Sequence, residues 1–217
     1  MSRLRVHNFS VSIDGYGAGV NQSLETPLGV GGEDLHRWIF ATEFWHARTE
    51  EHGGSHGVDN AWLQAGEVGI GATIMGRNMF GPIRGPWDAD DLAANWRGWW
   101  GENPPFGHDV FVLTHHARDP LVMEGGTTFH FITAGLETAL ELAQSAAHGQ
   151  DVRLGGGVAT IREAVSTGLV DELHLARVPI HLGAGESLAI DNLVGAGYRV
   201  DSTELGEGAM HVRLVRV

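Results

Sequence analysis

Residues 151–164 (DVRLGGGVATIREA) combine a short apolar strand, three consecutive glycines and the beginning of a helix. Glycines let backbone N–H groups approach an anion closely because they have no Cβ, and the helix N-terminus adds partial positive charge. A phosphate or a pyrophosphate is therefore the ligand that this turn is suited to bind. The alternative is a tight turn that uses glycine only for its backbone freedom, and the glycines alone do not decide between the two.

Two further segments place anion-binding residue types directly after a predicted strand. Residues 71–82 (GATIMGRNMFGP) lead into Gly76-Arg77-Asn78, and residues 112–118 (VLTHHAR) lead into a hydroxyl, two imidazoles and an arginine. Taken alone, each segment is more typical of a strand that ends in a turn or in a polar loop. The carboxyl ends of parallel strands meet along one edge of an α/β sheet. The three segments together therefore predict a site for one extended ligand with several phosphates, such as a dinucleotide.

Other ligand chemistries are excluded by composition. The glycine run is not the GxGxxG fingerprint, and no acidic residue follows a second strand about 20 residues later, so a standard Rossmann site is not predicted. All 14 basic residues are arginine, which excludes a Walker-A lysine and a Schiff-base lysine. An anionic ligand must therefore be held by arginine, histidine, hydroxyl groups or backbone amides. The absence of cysteine excludes disulfides, thiolate metal sites and cysteine nucleophiles.

The charge and hydropathy of the 217 residues limit the partners. A net charge of −13 argues against nucleic acid or an anionic membrane as a partner, since both favour a basic face. No segment approaches the ~18 apolar residues of a membrane span, and residues 1–19 lack the layout of a signal peptide. We expect a cytoplasmic protein that binds a small molecule.

Strands and helices alternate along most of the chain. Strands are predicted over residues 3–13, 68–75, 109–114, 129–132, 152–154, 172–180, 198–204 and 210–217. Helices are predicted over residues 33–48, 59–66, 136–147 and 158–167, with a possible lid or binding loop over 16–32 and an irregular insertion over 81–105. This order predicts one domain over residues 1–217, an α/β protein with a three-layer α/β/α sandwich. Its sheet would be mixed and mostly parallel, with an antiparallel C-terminal edge.

The order of the motifs resembles the dihydrofolate reductase fold. The motifs are SxDG at 12–15, MGRNMF at 75–80, VLTH at 112–115, LGGG at 154–157, LVDELHL at 169–175 and PIHLGAGESL at 179–188. More narrowly, the chain is similar to stand-alone relatives of the reductase domain of riboflavin biosynthesis, from about residue 3 to residue 217. The resemblance implies NADPH-dependent hydride transfer to a pterin- or pyrimidine-like heterocycle.

The same resemblance implies which residues contact the cofactor. The glycine run and the following helix would contact the pyrophosphate, and Arg77, His115, His116 and Arg118 would clamp the 2′-phosphate that distinguishes NADPH from NADH. Met79 stands where these reductases often have threonine, so one hydroxyl contact is missing. The implied cofactor-binding residues are Gly76, Arg77, Asn78, Thr114, His115, His116, Arg118, Gly155, Gly156, Gly157, Val158 and Ala159.

Fewer residues are implied on the substrate side. Dihydrofolate reductases use a carboxylate near the start of the first helix to bind the pterin and support its protonation, and Asp34 is the candidate here. Burial next to an apolar ring would suit such a carboxylate to that role. The simpler alternative is a helix-entry acid, which is common. The implied substrate-binding residues are Phe9, Ser10, Asp34, Trp38 and Leu154.

Two clusters have simpler explanations than a ligand site. The acidic and histidine residues of 46–56 follow no familiar metal-ligand spacing, so solvated loop side chains are favoured and no metal is predicted. The four tryptophans of 81–105 could form a stacking wall over a planar substrate, part of the core, or a subunit contact. We expect a homodimer that forms through the terminal strands and this aromatic surface.

Two functional alternatives stay open. One is a non-catalytic nucleotide-binding or small-molecule-binding protein on the same fold. The other is a resistance or hydrolytic protein, against which the absence of a GxSxG elbow counts.

Overall fold

A computed structural model describes residues 2–188 and 193–217. The strands are β1 (Leu4–Ser12), β2 (Tyr16–Ala18), β3 (Ile70–Gly76), β4 (Asp109–Leu113), β5 (Leu121–Val122), β6 (Thr128–Ile132), β7 (Asp151–Leu154), β8 (Glu172–Val178), β9 (Glu186–Ser187), β10 (Tyr198–Leu205) and β11 (Met210–Arg216). The helices are α1 (Arg37–Phe40), α2 (Glu43–Arg48), α3 (Val58–Glu67), α4 (Arg77–Phe80), α5 (Asp91–Asn95), α6 (Leu136–Ala146) and α7 (Val158–Ser166), with 3₁₀ turns at Gly32–His36 and Glu124–Gly126.

One nine-stranded sheet has the order β10-β11-β8-β1-β7-β3-β4-β6-β5, and β2 pairs separately with β9. The run from β1 through β7, β3, β4 and β6 is parallel. The strands at both edges are antiparallel, since β5 pairs with β6 in that sense and β11 with both β8 and β10. The predicted α/β sandwich with a mixed, mostly parallel sheet and an antiparallel C-terminal edge is confirmed.

The chain divides into two compact units. The first contains the N-terminal residues up to Arg5 together with Gly69–Thr160, and the second contains Val6–Val68 and Ile161–Val217. A single domain over residues 1–217 stays a prediction.

The core of the first unit lies around one face of β3, β4 and β6. Its buried members are Met75, Phe80, Trp87, Val110, Val112, Met123 and Phe129. Trp96 and Trp100 pack against this cluster, and Trp99 meets Trp96 edge to face with the ring centroids 4.9 Å apart. The core explanation therefore accounts for most of the tryptophans in the insertion.

The predicted helix over 33–48 is wrong as a single element. The structure has a 3₁₀ turn and the two short helices α1 and α2 instead. The interruption is at Thr42, whose backbone is extended and whose Oγ1 accepts a hydrogen bond from the Trp45 N–H at 3.3 Å. Thr42 is thus the N-cap of a new helix. Threonine is common at this position, whereas it is unfavourable in a helix interior.

The second unit buries a chain of polar side chains that the sequence analysis did not anticipate. Asp59 accepts a hydrogen bond from His211 Nε2 at 2.8 Å, and His211 Nδ1 lies 3.0 Å from His174 Nε2. The Asn8 backbone N–H donates to His174 Nδ1 at 3.0 Å, and the Trp62 indole stacks on the His174 ring. Both histidines are fully buried, so their hydrogen-bond partners replace water completely.

Candidate functional site

Three parallel strands of the first unit end side by side. The register pairs Gly76 at the end of β3 with Leu113 at the end of β4, and Ile74 with Leu154 at the end of β7. The carboxyl ends of these strands therefore lie along one edge of the sheet, which is where ligands bind in α/β proteins. The three anion-binding segments predicted from the sequence follow these strand ends directly.

The glycine run is hydrogen-bonded to the turn that follows β3. The Gly155 N–H donates to the Ile74 carbonyl at 2.9 Å, and the Gly76 N–H donates to the Gly156 carbonyl at 2.6 Å. The peptide bond between Gly156 and Gly157 is cis. These bonds bring the first two predicted segments into direct contact.

The space around two of these glycines differs. A Cβ on Gly76 would lie 2.5 Å from Thr160 Oγ1 and 3.2 Å from the Gly157 backbone nitrogen, so no larger residue fits without movement. A Cβ on Gly157 would meet nothing within 4 Å. The backbone at Gly157 therefore borders open space beside the start of α7, as a turn that holds an anion requires.

Arg77 connects the second segment to the third. Its Nη1 donates to Thr114 Oγ1 at 3.1 Å, and its Nε donates to the Ile83 carbonyl at 3.0 Å. Its remaining terminal nitrogen, Nη2, is buried and has no hydrogen-bond partner among the described residues. A buried guanidinium nitrogen without an acceptor is costly, so one end of this side chain has an unused capacity to bind an anion.

Arg118 lies close to the same site but is anchored differently. Its two terminal nitrogens donate to the carbonyls of Trp96 at 2.6 Å and Ala94 at 3.0 Å. Each terminal nitrogen carries two hydrogens, so this anchoring leaves donors available.

The site carries positive charge without a neighbouring acid. Burial lowers the pKa of Arg77, and the charges of Arg84 and Arg118 lower it further. Burial also lowers the pKa of Arg118, with a smaller contribution from Arg97. In the part of the chain that the structure describes, no carboxylate forms an ion pair with Arg77, Arg84 or Arg118. An arginine group of this kind attracts anions.

The other predicted cofactor residues differ in how they reach the site. The His116 backbone N–H donates to Thr114 Oγ1 at 3.2 Å, and its carbonyl accepts from Trp87 Nε1 at 2.8 Å, so the backbone of His116 is held on both sides. The side chains of Asn78, His115 and Ala159 are exposed, whereas that of Val158 is 5 % exposed.

Met79 contributes to the glycine turn in a way that the sequence analysis did not anticipate. A Cβ on Gly155 would lie 3.0 Å from both Sδ and Cε of Met79. The methionine therefore occupies the space that a side chain at Gly155 would need. Where similar reductases often have a threonine hydroxyl, this chain therefore has apolar packing against the turn.

The predicted substrate-side residues lie in the second unit, except for Leu154 in the first. Asp34 lies in the 3₁₀ turn, where its carboxylate is 42 % exposed and pairs with Arg37 Nη2 at 2.6 Å. This is the geometry of a helix-entry acid, and it lacks the buried environment that the catalytic prediction assumed.

Ser10, Trp38 and Leu154 are buried. Trp38 Nε1 donates to Ser10 Oγ at 2.9 Å, so these two side chains satisfy each other. Phe9 is half-buried.

His46 contacts other residues of the 46–56 segment. His46 Nδ1 lies 3.2 Å from the His52 carbonyl, and His46 Nε2 lies 3.7 Å from Glu51. Across residues 2–188 and 193–217, no group of three or more histidine or acidic side chains is placed to hold a metal ion. Over the same ranges, no helix has the length and apolar character needed to cross a membrane.

The sequence from residue 6 to residue 206 matches the family model described as the RibD C-terminal domain. No curated protein matches the sequence at a significant level.

Solved structures share the fold at low sequence identity. A Shewanella sp. PV-4 protein assigned to riboflavin biosynthesis is 18 % identical, with a TM-score of 0.57 over 100 % of this chain and 99 % of that one. Dihydrofolate reductase from Enterococcus faecalis, complexed with NADP(H), is 13 % identical, with a TM-score of 0.50 over 99 % and 96 %. A diaminohydroxyphosphoribosylaminopyrimidine deaminase/5-amino-6-(5-phosphoribosylamino)uracil reductase from Thermotoga maritima is 11 % identical, with a TM-score of 0.54 over 100 % of this chain and 57 % of that one.

Proposed function

The chain belongs to the RibD C-terminal domain family, and from that premise we propose that it is an NADPH-dependent reductase that transfers a hydride to a pterin- or pyrimidine-like heterocycle. The observation that carries the proposal is that the three segments predicted to bind anions follow strand ends along one edge of the sheet. The Gly76 N–H donates a hydrogen bond to the glycine run, and Arg77 donates one to Thr114. A ligand with one phosphate group at the glycine run and another at Arg77 and Thr114 could contact all three segments.

The chemistry of the site fits the phosphates of NADPH. The backbone around Gly76 and Gly157, with the N-terminus of α7, would hold the pyrophosphate. Arg77, Thr114 and Arg118 would hold the 2′-phosphate, since the Nη2 of Arg77 has no acceptor within the described residues. When bound, NADPH would supply the hydride, and the residues of this site would bind and orient the cofactor.

The relatives give independent support for both parts of the proposal. The Enterococcus faecalis enzyme was solved with NADP(H), and the Thermotoga maritima protein carries a uracil reductase activity in its name. A nicotinamide cofactor and a pyrimidine-like substrate are the corresponding proposals for this chain.

A thermal-shift series with NADPH, NADH, FMN and buffer tests the cofactor. Binding should stabilise the folded protein by about 2.7 kcal/mol at a hundredfold excess over the dissociation constant, which is readily measured. We expect a clear shift with NADPH and a smaller one with NADH. If NADPH leaves the melting temperature unchanged and FMN raises it, the proposal is contradicted.

A cofactor-binding protein without turnover is the second candidate, and the exposed, ion-paired carboxylate of Asp34 favours it. Asp34→Asn separates the two candidates when NADPH oxidation is followed with a panel of reducible pterins and pyrimidines. An enzyme that uses Asp34 should lose oxidation and still bind NADPH. A binding protein should show no oxidation in either form.

A further inference from the structure

The guanidinium groups of two arginines lie over the same indole. The Cζ of Arg77 is 3.6 Å from the centroid of the Trp87 ring, and the Cζ of Arg118 is 4.8 Å from it. Both distances are within the ~6 Å range of a cation–π contact. The indole is itself fixed, because its Nε1 donates to the His116 carbonyl at 2.8 Å and the residue is only 7 % exposed.

Neutral groups of the insertion anchor both arginines. Arg77 donates to the carbonyl of Ile83, and Arg118 donates to the carbonyls of Ala94 and Trp96. Carbonyl oxygens and an indole face orient a guanidinium without neutralising its charge. The 81–105 segment therefore holds two cations in place and leaves their charges uncompensated.

The two like charges beside one indole repel each other, and a bound anion would offset that repulsion. Burial lowers the pKa of both arginines, and neighbouring arginines lower it further: Arg84 and Arg118 act on Arg77, and Arg97 acts on Arg118. The chain has 27 acidic residues, so a structural brace could have been built with a carboxylate. Among the described residues none of these carboxylates pairs with either arginine.

We propose that Trp87 is a positioning residue that holds Arg77 and Arg118 together as a receptor for a phosphomonoester dianion, and that it thereby sets the preference of the site for NADPH over NADH. The inference rests on the proposed function, since the 2′-phosphate is the phosphomonoester by which the two cofactors differ. The tryptophan-rich insertion is then part of the binding site as well as part of the core.

Adenosine 2′,5′-bisphosphate and adenosine 5′-monophosphate are the probes, because they differ only in that phosphomonoester. Their dissociation constants, measured by isothermal titration calorimetry, give a discrimination ratio for each variant. Trp87→Leu should lower the ratio about tenfold, while the affinity for the monophosphate stays within about twofold. Trp87→Phe keeps an aromatic face and loses only the Nε1 bond, so a loss of about threefold is expected.

Trp100→Leu is the matched control. Trp100 packs against the same core cluster but contacts Phe106 and Phe129 rather than an arginine. Its loss should lower the melting temperature in the same way as Trp87→Leu and leave the discrimination ratio unchanged. A purely structural role for Trp87 predicts that the two leucine variants behave alike.

The outcomes separate this inference from the proposed function. If the wild-type protein binds neither probe, the proposed function and the inference both fail. If it discriminates and Trp87→Leu discriminates equally well, only the positioning role is overturned. Should Trp87→Leu fail to fold, Trp87→Phe decides the question, because an unchanged ratio in that variant also overturns the role.

Discussion

At the scale of single residues, the Thr160 hydroxyl occupies the space that a side chain at Gly76 would need. A Cβ at position 76 would lie 2.5 Å from Thr160 Oγ1, which is closer than real Cβ atoms come. Gly76→Ala should therefore displace the turn that follows β3. We expect destabilisation of about 1–3 kcal/mol, measured by chemical denaturation, together with weaker NADPH binding.

The double variant Gly76→Ala/Thr160→Ala is the control, because it removes the hydroxyl that the new methyl group would meet. Of the two other neighbours, the Gly157 nitrogen at 3.2 Å is tight but tolerable with a small shift, and the Gly156 carbonyl oxygen at 3.5 Å is in ordinary contact. Part of the lost stability should return in the double variant. Equal stability losses in the single and double variants would mean that the steric account of Gly76 is wrong.

The residue types of this site could be predicted from the sequence better than their contacts. A glycine run, a glycine–arginine turn and a hydroxyl–imidazole segment each follow a strand, and this order can be read from the sequence. The stacking of Arg77 and Arg118 on Trp87 is not visible, because three segments separated along the chain meet only in the fold. The exposure of Asp34 was likewise beyond prediction, since it depends on what covers the 3₁₀ turn.

At the scale of elements, the hydrogen-bonded chain of Asp59, His211 and His174 connects α3, β11 and β8. Its hydrogen bonds can all form with only one placement of the protons on the two rings. The Asn8 N–H donates to His174 Nδ1, so this nitrogen is an acceptor and His174 Nε2 must carry the proton. That proton is donated to His211 Nδ1, and His211 Nε2–H is donated to Asp59. An added proton on either ring would break one of these bonds.

This chain makes stability depend on pH in a defined direction. Burial lowers the pKa of His174 well below its ordinary value of 6.5, with smaller contributions from His211 and His7. The unfolded chain therefore binds a proton below about pH 6.5 that the folded chain does not. The contribution of His174 to stability is present above pH 6.5 and is lost as the pH falls below it, by at most about 1.4 kcal/mol per pH unit for one proton.

The measurement is the free energy of unfolding of wild type and His174→Gln between pH 8 and pH 5. The variant should be less stable by about 1–3 kcal/mol at pH 8, because the Asn8 N–H loses its acceptor. The difference between the two proteins should narrow towards pH 5. His56→Gln changes an exposed histidine and should leave the pH profile as it is. A difference that stays constant over this pH range would contradict the protonation account.

Long periodic elements were predictable, and short ones were not. The long strands and the helices α3, α6 and α7 lie within two residues of their predicted bounds. Helices such as α3 and α6 bury one face, which gives a clear period, whereas a strand such as β3 is a short apolar run that is buried on both faces. The strands β2, β5 and β9 are two or three residues long, too short for any period to appear in the sequence. The prediction of one helix over 33–48 is wrong because the apolar pattern continues across the break that the N-cap residue Thr42 introduces.

At the scale of the whole molecule, an acidic protein concentrates part of its limited positive charge where an acidic ligand would bind. The net charge is −13, so the field of the whole chain repels a dinucleotide at a distance. Attraction must then come from close contacts, which are screened by salt much less than long-range fields. Arginine side chains, backbone amides and a helix N-terminus supply such close contacts.

Assembly is the remaining property of the whole molecule, and we propose a homodimer that forms through the terminal strands. The strand β10 ends the nine-stranded sheet, and Leu205 at its end is 78 % exposed. An edge strand leaves backbone N–H and C=O groups unpaired, which makes it a template for pairing with another chain. Light scattering after gel filtration should give twice the 23.3 kDa of one chain.

The opposite edge of the same sheet provides the control for this prediction. Val122 on β5 is 74 % exposed, so Val122→Glu and Leu205→Glu introduce the same charge at two equally exposed edge positions. Leu205→Glu should shift the protein to a monomer, since a charge on each of two paired strands would repel across the interface. Val122→Glu should leave the dimer intact. A monomeric wild-type protein, or a dimer that only Val122→Glu dissociates, would exclude β10 as the interface and with it the role of the terminal strands in assembly.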